Sequence, residues 1–233
     1  QSTWTSLRNG IPALAEASGV GPLLETKWNQ NPNENMFCPG GSVTGCTATA
    51  MAQVMYYWKY PAQGQGFHMY VENNYGALWA DFGSTVYQWG TMPWHPTTPS
   101  PQISRLMLHC GISVDMDYSP SGSGAPTSSV ANALIKYFKY DPNTVVFNDR
   151  KFFSDAAWIT MLKQELDASR PMQYKGTGTA GGHSFVCDGY DDTGLFHFNW
   201  GWGGSSDGYF TINALNPGTL GTGGGAGGFN AGQ

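Results

Sequence analysis

From Cys46 to Lys59 the sequence reads CTATAMAQVMYYWK, with neither glycine nor proline. Ala48, Ala50, Met51, Ala52, Val54, Met55 and Tyr56 cover almost every face of a helix, and a helix apolar nearly all round is a buried one. Thr44 or Gly45 caps its start and Pro61 stops it. The chain therefore has to build a core around one central helix. Its 233 residues are ample for that.

The remaining periodicities divide the chain. Segment 1–37 is broken by Gly10, Pro12, Gly19, Gly21, Pro22 and Pro32, and 62–100 supports only loops and short strands. Ile103, Leu106, Met107 and Cys110 stand at helical spacing, with Gly111 expected as the C-terminal cap. Further helices are expected over 127–139, with Val130, Leu134, Tyr137 and Phe138 on one face, and from Ser154 as N-cap toward Pro171. Beyond Pro171 the pattern changes to short aromatic and β-branched runs at Met172–Lys175, His183–Tyr190, Leu195–Trp200 and Tyr209–Ile212. Alternation places His183, Phe185 and Cys187 on one strand face. Helices followed by an antiparallel sheet make an α+β chain. Residues 1–233 are expected as one catalytic domain, with a mainly helical half over 1–140 and a mainly β half over 141–233.

Charge narrows the partners. Charged residues are 12% of the chain and the net charge is −5, with no basic cluster, which argues against nucleic acid. No run approaches the roughly 18 apolar residues of a membrane span. Gln1-Ser2-Thr3-Trp4 does not open a signal peptide. Low charge with abundant Gly, Ser, Thr and Asn fits a protein working outside the cell. Cys38, Cys46, Cys110 and Cys187 are too few for a disulfide scaffold, and Cys110 and Cys187 read as buried free thiols.

Cys46 combines a thiol with a helix start, where the dipole and unpaired N–H groups favour thiolate, the nucleophilic form. Its small neighbours Gly45, Thr47 and Ala48 leave room for a substrate backbone. The base it needs has only to be close in space. His183 is the best candidate, following Gly181-Gly182 at the head of an apolar strand; His197 reads as a packed sheet residue. Asn199-Trp200-Gly201-Trp202-Gly203 offers an Asn and an aromatic ring to orient an imidazole, and Gln30 an oxyanion donor beside the N–H of Cys46. Gln53, inside the central helix, is not such a donor. No short CxxC or HxxxH spacing supports a metal site. Nine Trp and low charge leave a carbohydrate-binding module as a rival, and an acyl transferase with the same Cys and His as another.

TGCTATAMAQVMYYWKYP (44–61), GISVDMDYSP (111–120), GGHSFVCDGYDD (181–192), FHFNWGWGGSSDGYF (196–210) and ALNPGTLGTGGGAGGFN (214–230), in this order, resemble the streptopain family of bacterial cysteine peptidases. The resemblance implies a papain-like fold and a secreted cysteine endopeptidase associated with virulence. It implies proteins and peptides as substrates, a preference for a hydrophobic residue near the scissile bond, and no cofactor. Cys46 falls on the family nucleophile, His183 on its histidine and Gln30 on its oxyanion glutamine. Asn199 and Trp200 fall on the Asn-Trp pair; which one orients the ring stays open. Gly182 lines the groove, and Gly45, Gly124 and Trp202 are expected beside substrate, with loops 119–129 and 217–228 as groove walls. The family is made as a zymogen inhibited by its own propeptide, and this sequence resembles the mature part. It also continues into a final strand, which is expected here to be cut short at Gln233. The loop PGGSVTGC departs from the family, so substrate preference is expected to depart too.

Overall fold

A computed structural model describes residues 19–179, 181–221 and 228–233. Helix α1 spans Cys46–Trp58 and is buried along most of its length. Gly45 precedes it at φ 85°, and Lys59 closes it in a left-handed conformation. No side chain caps its start, and the Thr44 hydroxyl is engaged with Thr49 at 2.8 Å. The hairpin β1 (Phe67–Glu72) and β2 (Gly76–Asp81) follows, then α2 (Pro101–Ser113) and α3 (Val130–Phe138). Gly111 lies inside α2 and does not cap it. Its role is close approach: a Cβ there would meet the Tyr118 hydroxyl at 2.1 Å. Met51, Met55, Ile103, Leu106, Phe82 and Phe138 anchor the core of this part.

Helix α4 (Asp155–Asp167) starts where expected, with the Ser154 hydroxyl accepting the Ala157 N–H at 3.2 Å. It ends short of Pro171. Strands β3 (Met172–Gly178), β4 (Gly181–Tyr190), β5 (Phe196–Asn199) and β6 (Gly208–Phe210) form one antiparallel sheet in sequence order. Trp158, Leu162, Phe185, Phe198, Trp200 and Phe229 anchor a second core. Val20 bridges to Tyr190, so the 19–24 segment, placed with the helical half by sequence, lies on the sheet. At the other margin Thr177 bridges to Ala231, which lays the last residues beside β3.

Helix α1 packs against β4 as well as α2. The strand that begins with His183 therefore lies against the helix that begins with Cys46. None of the described helices is long and apolar enough to cross a membrane.

Candidate active site

Cys46 occupies the first position of α1, where first-turn N–H groups have no intrahelical acceptor. Gly45 is required there: beyond its positive φ, a Cβ would meet the Met116 sulfur at 2.6 Å and the Ser123 carbonyl at 3.2 Å. All four cysteines are free; Cys46 is the one partly exposed, while Cys38, Cys110 and Cys187 are buried. Burial pushes the Cys46 thiol up from its ordinary range, opposed by the N–H of Ser184, the Thr47 hydroxyl and N–H, and its own N–H. The N–H of Ser184, next to His183, thus faces the Cys46 sulfur.

His183 is 2% exposed. Its ring stacks on Trp202 at 4.7 Å and on Phe185 at 5.7 Å, with Phe229 at 5.3 Å and Trp200 at 6.2 Å. This aromatic box disfavours the imidazolium: burial lowers its pKa to about 4, opposed by its bond to Trp200. That bond runs from Nε2 to the main-chain carbonyl of Trp200 at 2.8 Å. A carbonyl only accepts, so Nε2 carries the proton and Nδ1 the lone pair. Nδ1 is buried and has no hydrogen-bond partner among the described residues.

Of the Asn-Trp pair, it is the Trp200 backbone that hydrogen-bonds the imidazole, and among the described residues the Asn199 side chain bonds to other groups. Asn199 Oδ1 accepts from Gly201 N at 3.0 Å and from Gln53 Nε2 at 3.1 Å, while its Nδ2 donates to the Thr26 carbonyl at 2.7 Å. The Gly201 N–H belongs to the same peptide unit as the Trp200 carbonyl, so Asn199 holds and polarises the group that holds His183. Thr26 closes the network by donating to Gln53 Oε1 at 2.7 Å. Gln53 is the one long amide side chain of α1, a feature visible in the sequence.

Gln30 is buried, and its carbonyl accepts from Thr44 N at 3.1 Å, two residues before Cys46. Buried Glu34 folds the loop around it by accepting from the N–H groups of Asn29 and Asn33. On the opposite flank, the Thr47 hydroxyl donates to the Ala125 carbonyl at 2.8 Å, and Gly124 bridges to Asp117. Loop 119–126 thus stands beside the helix start. Gly182 is exposed at the β4 end, paired with Thr177. Trp202 is buried, and Gly221 lies so close that a Cβ would reach its ring at 2.3 Å. Of the expected wall 217–228, residues 222–227 lie outside the described residues.

Gln173 of β3 was not foreseen. Its Nε2 donates to the Thr47 carbonyl at 3.1 Å and to Ser184 Oγ at 2.8 Å, tying the start of α1 to β4. Nothing in its sequence neighbourhood signals this.

The sequence profile of the Peptidase C10 family matches residues 28–210. Streptopain of Streptococcus pyogenes serotype M28 is 42% identical over 224 residues, 91% of this chain and 55% of its own length. The thiol protease/hemagglutinin PrtT of Porphyromonas gingivalis is 37% identical over 97% of this chain and 28% of its own. The chain thus spans about half the length or less of these relatives. The active wild-type interpain A cysteine protease of Prevotella intermedia superposes with a TM-score of 0.84 at 36% identity, covering 93% of both chains. A prointerpain A fragment from the same organism gives 0.77 at 33% identity, covering 90% of this chain and 72% of that one. The expected papain-like α+β fold is the fold present. With the profile matched from the Gln30 loop through both halves of the site to β6, the chain belongs to the Peptidase C10 family.

Proposed function

We propose that this chain is a secreted cysteine endopeptidase, its substrates proteins and peptides, with Cys46 as nucleophile and His183 as base and acid. The observation that carries the reading is the protonation pattern of His183. Its Nε2–H is committed to the Trp200 carbonyl, which leaves a buried Nδ1, without a partner among the described residues, beside the segment whose N–H faces the Cys46 sulfur. A base directed in this way takes the thiol proton as the sulfur attacks a peptide carbonyl.

Burial favours neutral imidazole and neutral thiol, so the pair exchanges a proton as the reaction proceeds, with little charge held at rest. The tetrahedral oxyanion is held by the Cys46 N–H and the Gln30 side chain. His183, protonated at Nδ1, gives that proton to the departing amine; the acyl group stays on Cys46. Water, deprotonated by the regenerated imidazole, then releases the acid. Asn199 and Trp200 act on His183 through the backbone. Gly45, Gly124, Gly182 and Trp202 flank the substrate path. Residues 1–233 act as one catalytic domain, and the similarity to a prointerpain fragment supports inhibition of a precursor by its propeptide.

The test is alkylation of the native protein with iodoacetamide, mapped by mass, with casein cleavage followed on the same sample. Cys46 is expected to label ahead of the other thiols, cleavage to fall in proportion, and Cys46→Ala to be inactive. Uniform slow labelling without cleavage, or wild-type cleavage by Cys46→Ala, rejects the proposal.

A further inference from the structure

The residue that orients His183 is itself held by a carboxylate outside the reacting pair. Asp207, in the turn before β6, accepts the Trp200 N–H on Oδ1 at 2.9 Å. The Trp200 carbonyl accepts His183 Nε2 at 2.8 Å, and the following N–H, of Gly201, is bound by Asn199. Both peptide units that meet at the Trp200 Cα are therefore tethered, the first by Asp207 and the second by Asn199. Together the two bonds set the direction of the Trp200 carbonyl.

We propose that Asp207 is a positioning residue for the Cys46–His183 reaction, fixing the peptide of Trp200 so that its carbonyl stays on His183. This rests on the reading of Cys46 and His183 as the reacting pair. A carboxylate is stronger than a neutral acceptor in this place because its bond to the N–H is charge-assisted. Asp207 is half-buried, and its surroundings bear on its charge. Burial raises its pKa to about 6, opposed by the Trp200 N–H, His197 of β5 and Lys27, and reinforced by Asp188 of β4. Protonation weakens the acceptor, so the tether slackens as pH falls through about 6, above the window near 4 in which His183 itself titrates. The acid limb of turnover then has two steps.

The experiment is the dependence of kcat and KM on pH, from about 4.5 to 8, for wild type, Asp207→Ala and Asp207→Asn, with Cys46→Ala as background. Asp207→Ala is expected to lose kcat by about ten- to a hundredfold with KM little changed. Asn keeps an acceptor oxygen but does not titrate. Asp207→Asn is therefore expected to turn over faster than Asp207→Ala but to stay near the level to which wild type falls below pH 6, with no step there, whereas His197→Gln retains that step. Wild-type kcat in Asp207→Ala, or persistence of the step in Asp207→Asn, overturns the proposal. If Asp207→Ala fails to fold, Asp207→Asn decides alone. If Cys46→Ala cleaves like wild type, the reacting pair is wrong, and Asp207 is judged by the His183 ring N–H resonance in NMR. A changed shift or faster exchange in the Asp207 variants supports the tether, and an unchanged signal rejects it.

Discussion

His183 donates to the main-chain carbonyl of Trp200, so the partner that orients the imidazole is a backbone atom. No side-chain replacement at 200 deletes it. The Trp200 indole N–H is buried with no hydrogen-bond partner among the described residues, so its loss costs none of the bonds described. Trp200→Phe is expected to lower stability by about 1–2 kcal/mol through lost packing while keeping kcat within about tenfold of wild type. Denaturant melts and steady-state kinetics on the purified variant check both. A collapse of kcat in a folded Trp200→Phe would mean the indole itself takes part.

Asn199 answers to a different logic, because three buried bonds meet on its side chain. Asn199→Ala strands the donors of Gln53 and Gly201, with an expected loss of about 2–4 kcal/mol. Asn199→Asp turns the donor to the Thr26 carbonyl into an acceptor. Its penalty is expected to be larger at neutral than at acidic pH, since a protonated acid regains a donor. Urea unfolding at two pH values distinguishes the variants; an Asp penalty independent of pH would contradict the assigned geometry.

Gly45→Ala combines a left-handed φ of 85° with a contact to the Met116 sulfur. A loss of about 1–3 kcal/mol is expected, together with slower alkylation of Cys46 as the helix start shifts. Adding Met116→Ala should relieve the contact and leave the backbone strain. Full recovery of the labelling rate in the double variant would show that φ plays no part.

Stability should depend on pH through the buried histidines. Burial lowers both His183 and His109 to about 4 from 6.5, with Arg105 also lowering His109. Each is neutral when folded and takes a proton on unfolding below its ordinary value, so stability falls as pH drops from 6.5 toward 4. The loss is on the order of 3 kcal/mol per group. Asp207 works in the opposite sense: with its pKa raised to about 6, its contribution is present below its ordinary value and is lost as pH rises through 6. Melting temperatures across this range should fall toward acid and flatten in His183→Asn. An identical slope in that variant would show that His183 is not buried neutral.

The helices were legible where their signals are local. The Gly- and Pro-free run after Cys46 and the Ser154 cap lie within a few residues of what they specify. Gly111 misled because a glycine near a helix end also serves close packing, here against Tyr118. The β1–β2 hairpin was obscure for a physical reason: its apolar residues Phe67, Met69 and Val71 point to solvent, while Tyr70 and Glu72 point inward. Alternation is present with the usual meaning of its two faces reversed. At the site, the placement of Cys46 at a helix start and of His183 near a strand head could be read from local sequence. The bonds of Asn199, Gln53 and Asp207 could not, because they join distant segments or end on backbone atoms.

The network of Thr26, Gln53 and Asn199 spans separations of 146 and 173 residues. Contacts of such long range form late, after loop closure has been overcome. The bond of His183 to Trp200 is local to the sheet part, but the approach of Cys46 and the Gln53 contact to Asn199 arrive only with the docking of the two cores. A nascent or half-folded copy has the thiol and the imidazole without the arrangement that joins them. On the proposed reading, ability to cut thus coincides with resistance to being cut, since the event that completes the site also removes the loose backbone on which a peptidase feeds.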